Sequence, residues 1–304
     1  MSAADFQRWR AGGKVYRHRG HAIFYRVEGD GPTLLTLHGF PSASWDWWPM
    51  WPDLTRRFRV VAADLIGFGW SAKPRDHGYS ILDQADLNEG LMRELGLEDA
   101  HVLAHDYGDT IAQELLARHE DVAGRRASTG GGPRTLRLCS VCFLNGGLFP
   151  ETHRPRFVQR VLASPLGGVM GRLSSKRLFR SGMTAVFGPK TPPSREFIDE
   201  LWTLLRHDDG HRVLHLLIGY MAERRRHRER WVGALQRTQV PLRVIDGPVD
   251  PISGAHMVAR FRELVRDADV VELPGIGHYP QIEDPAGVTR AFLEFHDRLE
   301  TKSR

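Results

Sequence analysis

Short apolar runs that stop abruptly on a polar residue constrain this chain more than any other feature. Thr33-Leu34-Leu35-Thr36-Leu37 ends at His38-Gly39, Arg59-Val60-Val61-Ala62-Ala63 ends at Asp64, and Val102-Leu103-Ala104 leads into His105-Asp106. Runs of this kind suit strands buried on both faces, as in a parallel sheet. Others follow at Leu136–Leu144, Leu242–Ile245 and Val270–Leu273. Helical patterns lie between them: Ile81 to Leu97, and Gly108 to Arg118 with Ile111, Ala112, Leu115 and Leu116 on one stripe. A closing helix carries Val288, Phe292, Phe295 and Leu299 on one face. This alternation implies an α/β fold, with right-handed crossovers and helices on both faces of the sheet. An antiparallel hairpin precedes it, Lys14–His18 and Ala22–Val27 around Arg19-Gly20-His21.

Two segments interrupt the pattern. Ala123–Arg134, with Gly130-Gly131-Gly132-Pro133 and several arginines, is expected to be a flexible surface loop. From about Leu148 to Trp231 the strand signal disappears, leaving helical stretches and turns such as Gly188-Pro189, which suggests a helical insertion over the carboxyl edge of the sheet. The 304 residues are therefore expected to form one large domain, 1–147 and 232–304, interrupted by a cap at 148–231.

Composition excludes several classes. Hydrophobic residues make up 41% and charged residues 26%, ordinary globular values. No apolar run is long enough to cross a bilayer, and Met1–Gly20 lacks the apolar core of a signal peptide, so a cytoplasmic location is expected. Cys139 and Cys142, three apart on a strand, point to opposite faces and cannot readily bridge; two buried thiols are expected. The net charge of +5 is concentrated in clusters such as Arg224-Arg225-Arg226-His227-Arg228-Glu229-Arg230. No nucleic-acid module accompanies that run, and Glu223 and Glu229 mark it as a solvated helix face, so no nucleic-acid partner is expected. Neither H-E-x-x-H nor G-x-x-x-x-G-K occurs, and no metal or cofactor is expected.

The sharpest motif is Ala104-His105-Asp106-Tyr107-Gly108, between a strand and a helix. In esterases this position holds G-x-S-x-G, a tight turn that needs small residues around a protruding nucleophile. Ala104 and Gly108 are small, but the central residue is Asp106, and no Ser or Cys occurs in Ala104–Ala112. By itself the pentapeptide fits helix capping equally well. Its surroundings favour chemistry. Asp250 follows the strand Leu242–Ile245, His278 follows Val270–Leu273, and His38-Gly39-Phe40-Pro41 follows Thr33–Leu37, where an oxyanion loop belongs. Nucleophile, acid and histidine stand in the order this arrangement requires.

These residues resemble the α/β-hydrolase superfamily, in its epoxide hydrolase and haloalkane dehalogenase branch. The resemblance rests on His38–Pro41 with Trp45 and Trp47, on Asp64–Ser71, on His105–Gly108 and on Gly277-His278. Within that branch the chain is similar to the mesoderm-specific transcript family, through His105–Leu115, Asn145–Pro155, Trp231–Leu235 and His278–Pro285. The resemblance spans about Tyr25 to Phe295 and implies an eight-stranded, mostly parallel sheet with an inserted helical cap.

A carboxylate at the elbow is ionised at neutral pH, since a free Asp titrates near about 3.9. It can attack carbon directly, giving an alkyl-enzyme ester. His278, oriented by Asp250, is then expected to activate water, with the backbone N–H groups of Phe40 and Tyr107 holding the oxyanion. The expected substrate is a small apolar electrophile. The resemblance implies an oxirane, opened with help from a cap tyrosine; Tyr220, on a stripe with Val213, Leu216 and Leu217, is the candidate, although a core tyrosine fits the stripe equally well. The alternatives are a haloalkane dehalogenase, with halide donors such as Trp202 or Trp231, and a non-catalytic ligand-binding protein. Trp45, Trp47 and His153 are candidate pocket residues, and His105 is expected to be structural.

Overall fold

A computed structural model describes residues 3–129 and 135–302. Eight strands form one sheet: β1 (Lys14–His18), β2 (His21–Glu28), β3 (Thr33–Leu37), β4 (Arg59–Ala63), β5 (Asp99–His105), β6 (Arg137–Leu144), β7 (Leu242–Asp246) and β8 (Val270–Glu272). Their spatial order is β1-β2-β4-β3-β5-β6-β7-β8. β1 pairs antiparallel with β2 and β2 with β4; every other pair is parallel.

The apolar runs explain both faces. Successive residues alternate sides, so Val61, Val102 and Val141 join one core with Ile111 and Leu115, while Val60, Leu103 and Cys142 join a second with Ile245 and Phe292. Both are dry. Cys139 is half-buried and Cys142 buried, and both thiols are free.

From β3 the chain crosses to β4 on one side, and β5 then adds on the other. The loops leaving β3 and β5 therefore diverge from neighbouring strand ends, with Leu37 paired to Ala104. In open α/β sheets ligands bind at such a switch point.

Several expectations need correction. The chain opens with a helix, Ala3–Ala11, whose Phe6 and Trp9 are buried against Trp45, Trp48 and Trp51. The spacing of two aromatics three residues apart was its only sequence signal. The segment expected to be a loop from Ala123 is helical as far as Thr129, because Tyr107–Thr129 forms one helix; Gly130–Pro133 lies outside the described residues. The helix beginning at Ile81 ends at Glu94, ahead of Gly96 in the left-handed region.

Between β6 and β7 every regular element is helical, including Phe157–Leu162, Gly167–Leu173, Lys176–Thr184, Arg195–Arg206 and Tyr220–Arg226. The helix Arg228–Arg237 packs along Tyr107–Thr129 and runs through the boundary expected at 231. Among the described residues no helix is long and apolar enough to cross a membrane.

One charged cluster ties β1 to the helix Ile81–Glu94. Asp83 takes His18 at 3.0 Å, His77 at 2.8 Å and Arg19 at 2.9 Å. Burial pushes its carboxyl up, but these partners outweigh burial and hold it at about 2. A depressed carboxyl stabilises the fold above its unfolded pKa of about 3.9, and that stabilisation is lost as pH falls toward the folded value. The melting temperature should therefore drop between roughly pH 4 and 2. Asp83→Asn should flatten that part of the profile in a calorimetric pH series.

Candidate active site

The turn after β5 is tight for an identifiable reason. Asp106 has φ 47°, a left-handed conformation that a side chain other than glycine adopts only at a cost. Gly108 lets the following helix close on β3: a Cβ there would sit 2.3 Å from the Leu37 carbonyl oxygen. Gly108→Ala should cost about 1–3 kcal/mol, visible as a lowered melting temperature. Gly39 is similarly confined, its Cβ position lying 2.5 Å from His105 Nδ1.

The loops of β3, β5, β7 and β8 converge. The Phe40 N–H donates to Asp106 Oδ2 at 3.1 Å, and His278 Nε2 lies 3.8 Å from the same oxygen. His278 Nδ1 meets Asp250 Oδ2 at 2.8 Å. All three side chains are buried.

Asp250 is held as an anion. It accepts from the Ile252 N–H at 2.7 Å, the Ser253 hydroxyl at 2.9 Å and the Asn145 amide at 3.1 Å. Asn145, at φ 42°, also exchanges two hydrogen bonds with the Gly247 backbone. It is a positioning residue that sequence reasoning missed; a polar residue just past the apolar run Leu136–Leu144 was the available signal.

The charges balance. Burial pushes Asp106 up, but the imidazole of His278 and the guanidinium of Arg224 outweigh it and hold the carboxyl well below the usual range. Burial pushes His278 down, but Asp250 and Asp106 outweigh it and raise the ring to about 10. Asp109, buried beside Asp106, is pushed up by burial and then by that charge.

Arg224 is the largest surprise. The sequence reading placed it on a solvated basic face, yet it is 2% exposed. Its Nε donates to Thr110 Oγ1 at 2.7 Å and its Nη2 to the Asp106 carbonyl oxygen at 2.9 Å, with Nη2 also 3.6 Å from Asp106 Oδ1. Its guanidinium carbon lies 4.5 Å from the Tyr220 ring centroid. The signal was present: Arg224 stands four residues after Tyr220, hence on the same helix face. The rest of the cluster is surface, with Arg225 and Arg226 exposed, Arg228 paired to Glu151 and Arg230 to Glu114.

The other candidates divide. Tyr220 is fully buried between Phe40 and Tyr107, and its hydroxyl has no partner among the described residues. His153 is half-buried near Arg224 and Gly147, with both ring nitrogens unpartnered; burial and then Arg224 lower it to about 3. His105 is buried and bonds the His278 carbonyl oxygen at 2.7 Å, a structural placement. Trp45 and Trp47 do not line the cavity. Trp45 packs on Phe6 and Trp9 and donates to Glu200 at 2.9 Å, and Trp47 lies in the same core. The short helical stretch Ser44–Met50 buries both in the second core, with Val60, Leu103 and Ile245.

A cavity of about 680 Å³ adjoins the site. Phe40, His278 and Tyr279 form its floor, and Leu162, Met183, Val186, Leu205 and Leu214 are among its walls. Asp106 and Tyr220 are not lining residues; Asp106 touches the cavity floor through Phe40 and His278. Among the described residues no group of His, Cys, Asp or Glu could hold a metal ion.

The alpha/beta hydrolase fold family model matches residues 32–285, and the chain belongs to that family. Within it, the chain is similar to the mesoderm-specific transcript protein of Mus musculus, 41% identical over 94% of this chain and 86% of that protein. It is equally similar to the putative hydrolase LipZ of Mycobacterium tuberculosis, 41% identical over 96% of this chain and 98% of LipZ. Among solved structures, the haloalkane dehalogenase DatA from Agrobacterium tumefaciens C58 superposes with a TM-score of 0.78, covering 98% of this chain and 100% of that one, at 20% identity. DbeA from Bradyrhizobium elkani, also a haloalkane dehalogenase, gives 0.76 over 95% of this chain and 99% of its own, at 22%.

Proposed function

We propose that this protein is a cofactor-independent hydrolase in which Asp106 attacks carbon to form an alkyl-enzyme ester, and that its substrate is an epoxide converted to a diol. The observation that carries this reading is a carboxylate, with no serine, at the elbow, within reach of both an imidazole and a backbone donor. An ionised carboxylate needs no base before it attacks. Opening an oxirane transfers its electron pair to the ring oxygen, which then takes a proton. Tyr220 keeps its proton, since burial and then Asp106 raise its pKa, and its unpartnered hydroxyl is a donor with nothing else to bond. Arg224 beside it would stabilise the developing alkoxide.

The ester changes His278. Alkylation neutralises one of the two carboxylates that keep the ring charged, so the imidazole can give up its proton, which restores the phenol that Tyr220 lost to the ring oxygen, and then act as a base. Water adds to the ester carbonyl as His278 takes its proton, and the Phe40 and Tyr107 N–H groups receive the oxyanion. Collapse breaks the ester C–O bond, the leaving alkoxide takes the proton of the added hydroxyl to become the diol, and Asp106 returns as a carboxylate beside protonated His278. Raising the pH should speed this second step, because the neutral ring is the active form. A pre-steady-state burst should therefore accumulate more ester at pH 6 than at pH 9, read by quenched mass spectrometry.

Dehalogenation is the less supported reading. No tryptophan lines the cavity among the described residues, and Trp231 Nε1 is committed to Glu114 at 2.8 Å. Incubation with an epoxide and a chloroalkane series separates the two. Diol without halide supports our reading; halide release with unchanged epoxide overturns it.

A further inference from the structure

The face of the helical insert around the cavity mouth has a composition unlike the rest of the molecule. Residues 152–195 contain nine Arg or Lys and no Asp or Glu. Asp199 pairs with Lys176 and Arg180, while Arg154, Arg156, Arg160, Arg172 and Arg177 are exposed. The same segment holds five of the seven exposed large hydrophobic side chains among the described residues. Leu166, Val169 and Leu173 are 66%, 54% and 75% exposed, and their spacing lines up the N-cap Leu166 with Val169 and Leu173 along one side of the helix Gly167–Leu173. Phe157, 75% exposed, and Leu178, 46% exposed, lie on the cavity rim, and Met170 and Gly171 of that helix also line the cavity.

We propose that this face docks on an anionic lipid bilayer, with the cavity mouth turned toward the membrane. Aliphatic side chains projecting among arginines are the composition of an interfacial surface. The apolar groups enter the boundary below the headgroups while the guanidinium groups meet lipid phosphates. Nucleic acid would complement the charge but leave the leucines in water, and an acidic protein would need an apolar patch of its own. The apolar walls of the cavity open on the same face, so a hydrophobic guest could pass from the membrane into it without crossing water.

Flotation of the full chain with phosphatidylcholine vesicles, with and without about one third phosphatidylglycerol, tests this directly. Binding is expected only with the anionic lipid and should weaken as salt screens the charges. The double variant Leu166→Glu/Leu173→Glu should reduce the bound fraction at least about tenfold, and Arg172→Glu should reduce it independently. Val15→Glu, at an exposed apolar position outside this face, should leave it unchanged. All four substituted positions are exposed, and matching melting curves would establish folding. Equal binding to neutral vesicles, equal affinity for a DNA duplex, or wild-type binding by the double variant would overturn the proposal. A dimer that the double variant converts to monomer would assign the face to a second copy instead. None of these readouts depends on the reaction at Asp106.

Discussion

His278→Gln is expected to bind one equivalent of an epoxide covalently and retain it. Attack by Asp106 requires only an ionised carboxylate, and Arg224 remains beside it to keep it so. Hydrolysis requires a base, and glutamine supplies none. Loss of general-base catalysis costs about 10²–10⁴ in rate, so the ester should outlive the experiment. Intact mass should rise by the mass of the epoxide, since ring opening expels nothing; a chloroalkane adds its alkyl group and releases chloride. Peptide mapping should place the label on Asp106, and Asp106→Ala in the same background should remain unlabelled. A wild-type enzyme that makes diol while His278→Gln gains no mass would mean that water attacks the epoxide directly, and the ester mechanism would fail.

The second large effect is expected at Arg224. With Arg224 in place, two carboxylates, Asp106 and Asp250, face two cations, His278 and Arg224. Arg224→Met leaves the buried group one positive charge short, and removing one partner of a buried pair costs about 3–5 kcal/mol. The site can recover by protonating a carboxylate. Asp106 is the candidate, because Asp250 keeps its full set of donors. A protonated Asp106 cannot attack, so alkylation should slow by about 10²–10³. The defect should deepen as pH falls, and Arg224→Lys should rescue part of it. A merely structural role would lower stability without adding a pH dependence to the alkylation step. Single-turnover rates across pH distinguish the two.

Much of this architecture is legible along the chain because its causes are local. A strand buried on both faces is largely apolar, so β3, β4 and the Val102–Ala104 end of β5 can be read from composition alone. The elbow needs small residues at Ala104 and Gly108 wherever it occurs. Asp106, Asp250 and His278 each follow such a strand, and strand ends in a parallel sheet share one edge. The sequence therefore brings them to the same edge before any distance is known.

What escaped depends on facing, and facing is decided between elements. Three consecutive arginines look alike in sequence, yet only Arg224 turns inward, because Tyr220 fixes the rotation of its helix and the buried Asp106 offers a counter-charge. Trp45 and Trp47 resemble pocket aromatics until Phe6 and Trp9 of the opening helix are seen to pack on Trp45, in the core that also holds Val60 and Leu103. Periodicity reports that a residue is inside. Which cavity or core it faces follows from how helices cross the sheet, a choice made by packing and charge across segments far apart in sequence.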